Sequence, residues 1–205
     1  MGSYRIAVFA SGTGSNFQAL LDAQRKGSLQ AEIVLLVSDK PNAPVVERAR
    51  NAGIEVFLFQ PKDYNQREDY EREILSQLEA QGVDLIVLAG YMRLLTSVLV
   101  APYSGRMINI HPSLLPAFAG KNAIGQALEY GVKVTGVTVH FVDGGMDTGP
   151  VIAQTALDIQ PGEEEAALTE RIHAAEQQLY PAVVSWFAQG RIILEGRQVT
   201  VLPLR

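Results

Sequence analysis

In the stretch NIHPSLLPAF, residues 109 to 118, Asn109 and His111 carry groups that can stabilise charge and move a proton. The Asn109 carboxamide can donate a hydrogen bond to a developing oxyanion, and the His111 imidazole can relay the proton that an attacking group must lose. If Ile108 and Ile110 face one side of a strand, Asn109 and His111 face the other, about 6 to 7 Å apart by strand rise, so one substrate atom could touch both. Pro112 biases His111 away from helical dihedrals, and Pro116 stiffens the connection further. Asn plus His suits transfer of a carbonyl group to an amine. A serine hydrolase is the weaker reading, because no Gly-x-Ser-x-Gly elbow is present and Ser113 is poorly placed for activation by His111. Metal ligation and a purely structural role stay open for His111.

A third component, a carboxylate, is available in HFVDGGMDTGP, residues 140 to 150, which contains Asp143 and Asp147. An ionised Asp beside an imidazole favours its charged form. Spacing does not choose between the two aspartates, and a turn in which they bond only their own backbone stays open. His111, His140 and one aspartate are also the inventory of a two-histidine, one-carboxylate metal site. They lack a local ligand motif, so no metal is expected and activity is expected to be insensitive to chelators. His173, in a helical stretch among charged residues, reads as an ordinary surface histidine.

SGTGSN, residues 11 to 16, follows an apolar run and opens a helical one. Its glycines permit tight turning, amides at the helix start can point at anionic oxygens, and Ser15 adds a hydroxyl. A phosphomonoester site, a dinucleotide site and a ligand-free turn all fit. Phe17 stands where a dinucleotide fingerprint needs glycine, although Asp39 could pass for a ribose-binding acid. A Walker A loop fails, because Gly120-Lys121 is followed by Asn122.

The elements that must position these groups follow a βαβ rhythm. Apolar, β-branched runs recur at residues 4–10, 33–38, 55–59, 85–89 and 107–110, separated by helical periodicity at 16–24, 44–52 and 66–80. The expected fold is α/β, a mostly parallel twisted sheet with helices on both faces, Rossmann-like. Beyond Pro112, Asn122 could cap a helix over 123–130, while 134–141 and 151–157 read as antiparallel additions to the sheet. The longest helical stretch, 163–189, contains Pro181, which predicts a kink or two helices. A terminal hairpin is expected to turn at Glu195-Gly196.

The chain has 205 residues, 47% hydrophobic, and is expected to form a single domain, with a phosphate-binding half at about 1–105 and a catalytic portion at about 85–190. Net charge of −5 without a basic run argues against nucleic acid, and the absence of cysteine excludes thiolate chemistry. No apolar segment has membrane-spanning length, and Ile6 spoils a myristoylation signal at Gly2, so a cytoplasmic protein is expected.

Together, SGTGSN, AGYMRLL (89–95), NIHPSLLPAF, HFVDGGMDTGP and AEQQLYP (175–181) resemble the formyltransferase family, and within it the folate-dependent glycinamide ribonucleotide transformylases, over nearly the whole chain. The resemblance implies attack of a glycinamide amine on the formyl carbon of 10-formyltetrahydrofolate. It also implies roles: Asn109 on the oxyanion, His111 in proton transfer, Asp147 orienting and tuning His111, and His140 in support. The substrate phosphate falls to Gly14, Ser15 and Asn16, and the glycinamide ribonucleotide to Glu176. The folate falls to Arg67, Met92, Arg93, Leu94, Leu95, Asn109, Val142 and Asp143. Ala119 replaces a proline common in relatives, which is expected to loosen the loop. Ile124 stands where some relatives carry a histidine. The rival readings are a 10-formyltetrahydrofolate deformylase, which usually has an extra N-terminal domain, and a non-catalytic phosphosugar or folate-binding module. A methionyl-tRNA formyltransferase usually has a further C-terminal domain. Monomer and homodimer are equally compatible with the sequence.

Overall fold

A computed structural model describes residues 3–204, so Gly2 lies outside the described residues. In chain order the elements are β1 (Tyr4–Phe9), α1 (Ser15–Arg25), β2 (Ala31–Ser38), α2 (Pro44–Asn51), β3 (Glu55–Leu58), α3 (Arg67–Ala80), β4 (Leu85–Leu88) and α4 (Ser97–Val100). There follow β5 (Met107–His111), α5 (Ala123–Tyr130), β6 (Val134–Phe141), β7 (Val151–Asp158), α6 (Glu165–Ala188), β8 (Ile192–Glu195) and β9 (Gln198–Val201).

Seven strands form one sheet in the order β3-β2-β1-β4-β5-β6-β7. The pairings from β3 to β5 are parallel, and those of β5 with β6 and β6 with β7 are antiparallel. β8 and β9 pair as the expected terminal hairpin.

The continuous apolar runs are explained by two cores. Along β1, Ile6 and Val8 join a cluster with Phe17, Leu20, Val45, Ile172 and Val183, whereas Ala7 and Phe9 join one with Tyr70, Ile74, Leu78 and Leu99. Alternate side chains thus face opposite helical layers, α1, α2 and α6 on one side and α3 and α4 on the other. Strand order reverses between β1 and β4, so the loops after these two strands diverge and leave a crevice at their carboxyl ends.

Two expectations are corrected. α6 runs as one helix through Pro181 rather than as two. The carbonyl deprived of a donor belongs to Gln177, which is exposed, so the lost bond faces solvent rather than the core. Asn122 occupies the N-cap of α5 without a side-chain capping bond, in a left-handed conformation.

Candidate active site

Register places the chemistry. The antiparallel pairing sets Asn109 opposite His140 and His111 opposite Thr138. Asn109 Nδ2 consequently lies 3.3 Å from His140 Nε2. Because His140 Nδ1 donates to the Phe141 carbonyl at 2.8 Å, a neutral His140 ring offers Nε2 as acceptor to Asn109. Once protonated, the same Nε2 has Asp147 Oδ1 as its partner, 3.6 Å away. His111 is buried, with Nδ1 3.4 Å from Asp147 Oδ2 and Nε2 donating to the Phe118 carbonyl at 2.9 Å. Both His111 nitrogens face oxygen acceptors.

The two aspartates left open by spacing part here. Asp143 Oδ1 accepts from Gly145 N at 2.9 Å and Thr148 Oγ at 2.6 Å, so that carboxylate folds its own loop. Asp147 meets both histidines and also accepts from the Gly120 amide at 2.8 Å. It holds a left-handed φ of 55°, a conformation that non-glycine residues rarely adopt and that turns its side chain inward. Burial works to raise its pKa. The His140 ring, the Gly120 amide and the charge of His111 outweigh burial and hold Asp147 below the ordinary carboxylate range. Close packing is built into the loop, since a Cβ on Gly149 would stand 1.8 Å from the Phe141 carbonyl oxygen.

Ser113 is fully buried and donates to the Ala117 carbonyl at 2.6 Å, which removes it as a nucleophile. His173 is exposed, as expected. Among the described residues no group of His, Cys, Asp and Glu is arranged to hold a metal ion. Phe118 and Gly120 reach the site through backbone atoms, which no side-chain pattern in the sequence announces. They flank Ala119, so the loop lacking the proline is tied to His111 on one side and Asp147 on the other. Ile124 packs against the core.

At the other end of the crevice, Gly14 forms the N-cap of α1 with φ 77°, and a Cβ there would stand 2.6 Å from Val45 Cγ2. Glycine is required by conformation and by space. Ser15 and Asn16 open the helix, and Asn16 Nδ2 donates to Glu176 Oε2 at 3.0 Å, joining two residues 160 positions apart. Both are buried, and burial raises the Glu176 pKa against the lowering effect of Asn16.

On the third side, Arg67 donates to the Leu94 carbonyl at 3.1 Å. Met92, Leu94 and Met146 are exposed apolar side chains on the loops after β4 and β6, while Leu95 and Val142 are each partly buried against the core. Arg93 pairs with Asp39 at 2.7 Å. Asp39 is buried and engaged, so it is not the free ribose-binding acid that its position after the second strand allowed.

Residues 4–184 match the formyl transferase family. The chain belongs to the formyltransferase family. This formyltransferase is 50% identical over 180 residues to the phosphoribosylglycinamide formyltransferase of Bacillus subtilis (strain 168), covering 88% of this chain and 92% of that one. Its structure is similar to that of glycinamide ribonucleotide transformylase 1 from Symbiobacterium toebii, with TM-score 0.95 and 44% identity over 98% of this chain and 94% of the other. It is likewise similar to glycinamide ribonucleotide transformylase 1 from Geobacillus kaustophilus, with TM-score 0.89 and 55% identity over 91% of this chain and 100% of the other.

Proposed function

We propose that this formyltransferase moves the formyl group of 10-formyltetrahydrofolate to the amine of N1-(5-phospho-D-ribosyl)glycinamide, giving the N-formylglycinamide ribonucleotide and tetrahydrofolate in de novo purine synthesis. The observation that carries this reading is the convergence, at the carboxyl end of β5, of Asn109 and His111 on Asp147, His111 directly and Asn109 through His140.

The substrate phosphate sits on the amides of Gly14, Ser15 and Asn16 and on the Ser15 hydroxyl, where a helix N-terminus favours an anion. Glu176, reached through Asn16, holds the glycinamide ribonucleotide. The folate lies along Met92–Leu95, with Arg67 and Arg93 near it and Val142 and Asp143 closing the opposite side. The amine attacks the formyl carbon, and the carbonyl oxygen becomes an oxyanion. Asn109 donates to that oxyanion through its carboxamide. The amine gives up a proton and N10 of the folate takes one as it leaves. His111 Nε2, which donates to the Phe118 carbonyl here, carries that proton when the reacting centre replaces the carbonyl. Asp147 fixes the ring and its charge, and His140 supports Asn109 and Asp147. No step calls for a metal. One chain supplies every group named, so the reading is the same for a monomer and a homodimer, and its setting is the cytoplasm.

The test follows tetrahydrofolate formation in matched reactions with and without glycinamide ribonucleotide. Formation that depends on the amine and yields formylated nucleotide is expected. An equal rate without the amine makes water the acceptor and the protein a deformylase, and no turnover in either makes it a binding module.

A further inference from the structure

Two loops leave the sheet at the crevice where strand order reverses, and one buried carboxylate ties them together. Asp39, just beyond β2, has a side chain only 1% exposed. Its Oδ1 accepts from the Ser11 hydroxyl at 2.6 Å, and its Oδ2 accepts from Arg93 Nε at 2.7 Å. Ser11 opens the glycine loop and Arg93 belongs to the apolar loop. The same Ser11 oxygen accepts from the Met92 backbone N–H at 3.2 Å, and the Ser11 N–H donates to the Gly90 carbonyl at 3.1 Å.

A hydroxyl has one hydrogen to give, so Ser11 spends it on Asp39 and meets Met92 with a lone pair. The oxygen therefore links the two loops only while both hold their positions. A buried carboxylate that loses a partner is left poorly solvated, so displacing either loop carries a penalty felt at the other.

We propose that Asp39 and Ser11 are positioning residues that couple the two substrate sites, so that filling the glycine loop tightens binding at the apolar loop and the reverse. The identity of the two ligands rests on the function proposed above. A phosphate drawing on the amides of Gly14 to Asn16 fixes the loop that Ser11 begins. Through Ser11 and Asp39 the segment from Gly90 to Arg93 is fixed as well, and a folate arriving there has less freedom to remove. Linkage makes the effect equal in both directions. A merely structural Asp39 predicts something else: removing it weakens both ligands while the ratio between their separate and joint affinities is unchanged.

The experiment measures that ratio by titration calorimetry on the full chain. Tetrahydrofolate, which has no formyl group to transfer, is titrated with and without saturating glycinamide ribonucleotide, and then in the opposite order. In the unaltered protein the ratio is expected to be about fivefold or more, the lower end of ordinary coupling between sites. Asp39→Asn keeps the shape and an acceptor for Ser11 but sets an amide nitrogen against Arg93, and Ser11→Ala removes the shared oxygen. Each is expected to bring the ratio within about twofold of unity. A ratio of unity in the unaltered protein, or one that survives either substitution, overturns the proposal. If the buried variants fail to fold, Arg93→Ala breaks the pair from its one-third exposed side, where the side chain is 33% accessible, and an unchanged ratio there is equally fatal. Failure of the unaltered protein to bind either ligand refutes the proposed function, and this inference with it.

Discussion

At the residue scale, the arrangement makes Asn109 more than a neighbour of the histidine. A carboxamide nitrogen has two N–H groups, and one of them is steadied by His140 Nε2. The second is thereby aimed, and a preorganised donor costs no reorientation when charge develops. Asn109→Ala is expected to lower kcat by about 10²-fold or more with a smaller effect on KM, the signature of an interaction made in the transition state. His111→Ala is expected to cost as much or more, and normal turnover by either purified variant would contradict the mechanism. In the proposed function Glu176 belongs to binding instead. Glu176→Gln keeps an acceptor for Asn16 but removes the charge, and is expected to raise KM for the ribonucleotide by about tenfold while leaving KM for the folate nearly unchanged.

At the element scale, α6 ties the proposed binding end to the proposed catalytic end. Glu176 meets the glycine loop, and one turn later the buried Tyr180 hydroxyl lies 2.7 Å from the Leu88 carbonyl and 3.2 Å from that of Ile108, the residue before Asn109. Tyr180→Phe leaves those carbonyls without their donor in a dry site. The expected loss is about 1–3 kcal/mol, with Tm falling by roughly 2–4 °C for each kcal/mol in a thermal melt. An unchanged Tm would show that neither bond contributes. These elements were unequally legible in the sequence. The parallel strands were readable because burial on both faces makes them continuous apolar runs, and the glycine loop because its glycines have a local backbone reason. The unbroken α6 was not readable, because whether Pro181 breaks a helix depends on where the orphaned carbonyl points. Nor was the choice of Asp147 over Asp143 readable from spacing alone, since it rests on the register of β6 against β5 and on a loop that turns one carboxylate into its own hydrogen bonds. The resemblance favoured Asp147 where local spacing was silent. Asp39 stood at a meaningful position, but its partners come from two other loops.

At the scale of the whole molecule, two carboxylates, the buried Glu176 on α6 and the partly buried Asp147 after β6, are shifted in opposite directions. Burial raises the Glu176 pKa above its ordinary 4.5, so its contribution to stability is fully present below that value and is lost as pH rises through the raised folded value. Histidine and amide partners hold Asp147 below its ordinary 3.8, so its contribution is present above that value and is lost as pH falls through the lowered folded value. The two sites therefore titrate in separate windows. From about pH 4 to about pH 8, Glu176→Gln is expected to gain stability relative to the unaltered protein as pH rises, because the variant escapes the cost of ionising a buried acid. Over the same range Asp147→Asn is expected to show a deficit that closes only as pH falls below the ordinary carboxylate range. Melting temperatures of the three proteins across this interval decide the matter. A Glu176→Gln difference that does not change with pH would mean that Glu176 ionises as freely folded as unfolded. A deficit in Asp147→Asn that shrinks as pH falls from about 6 to about 4 would mean that its partners do not hold the carboxylate in its charged form.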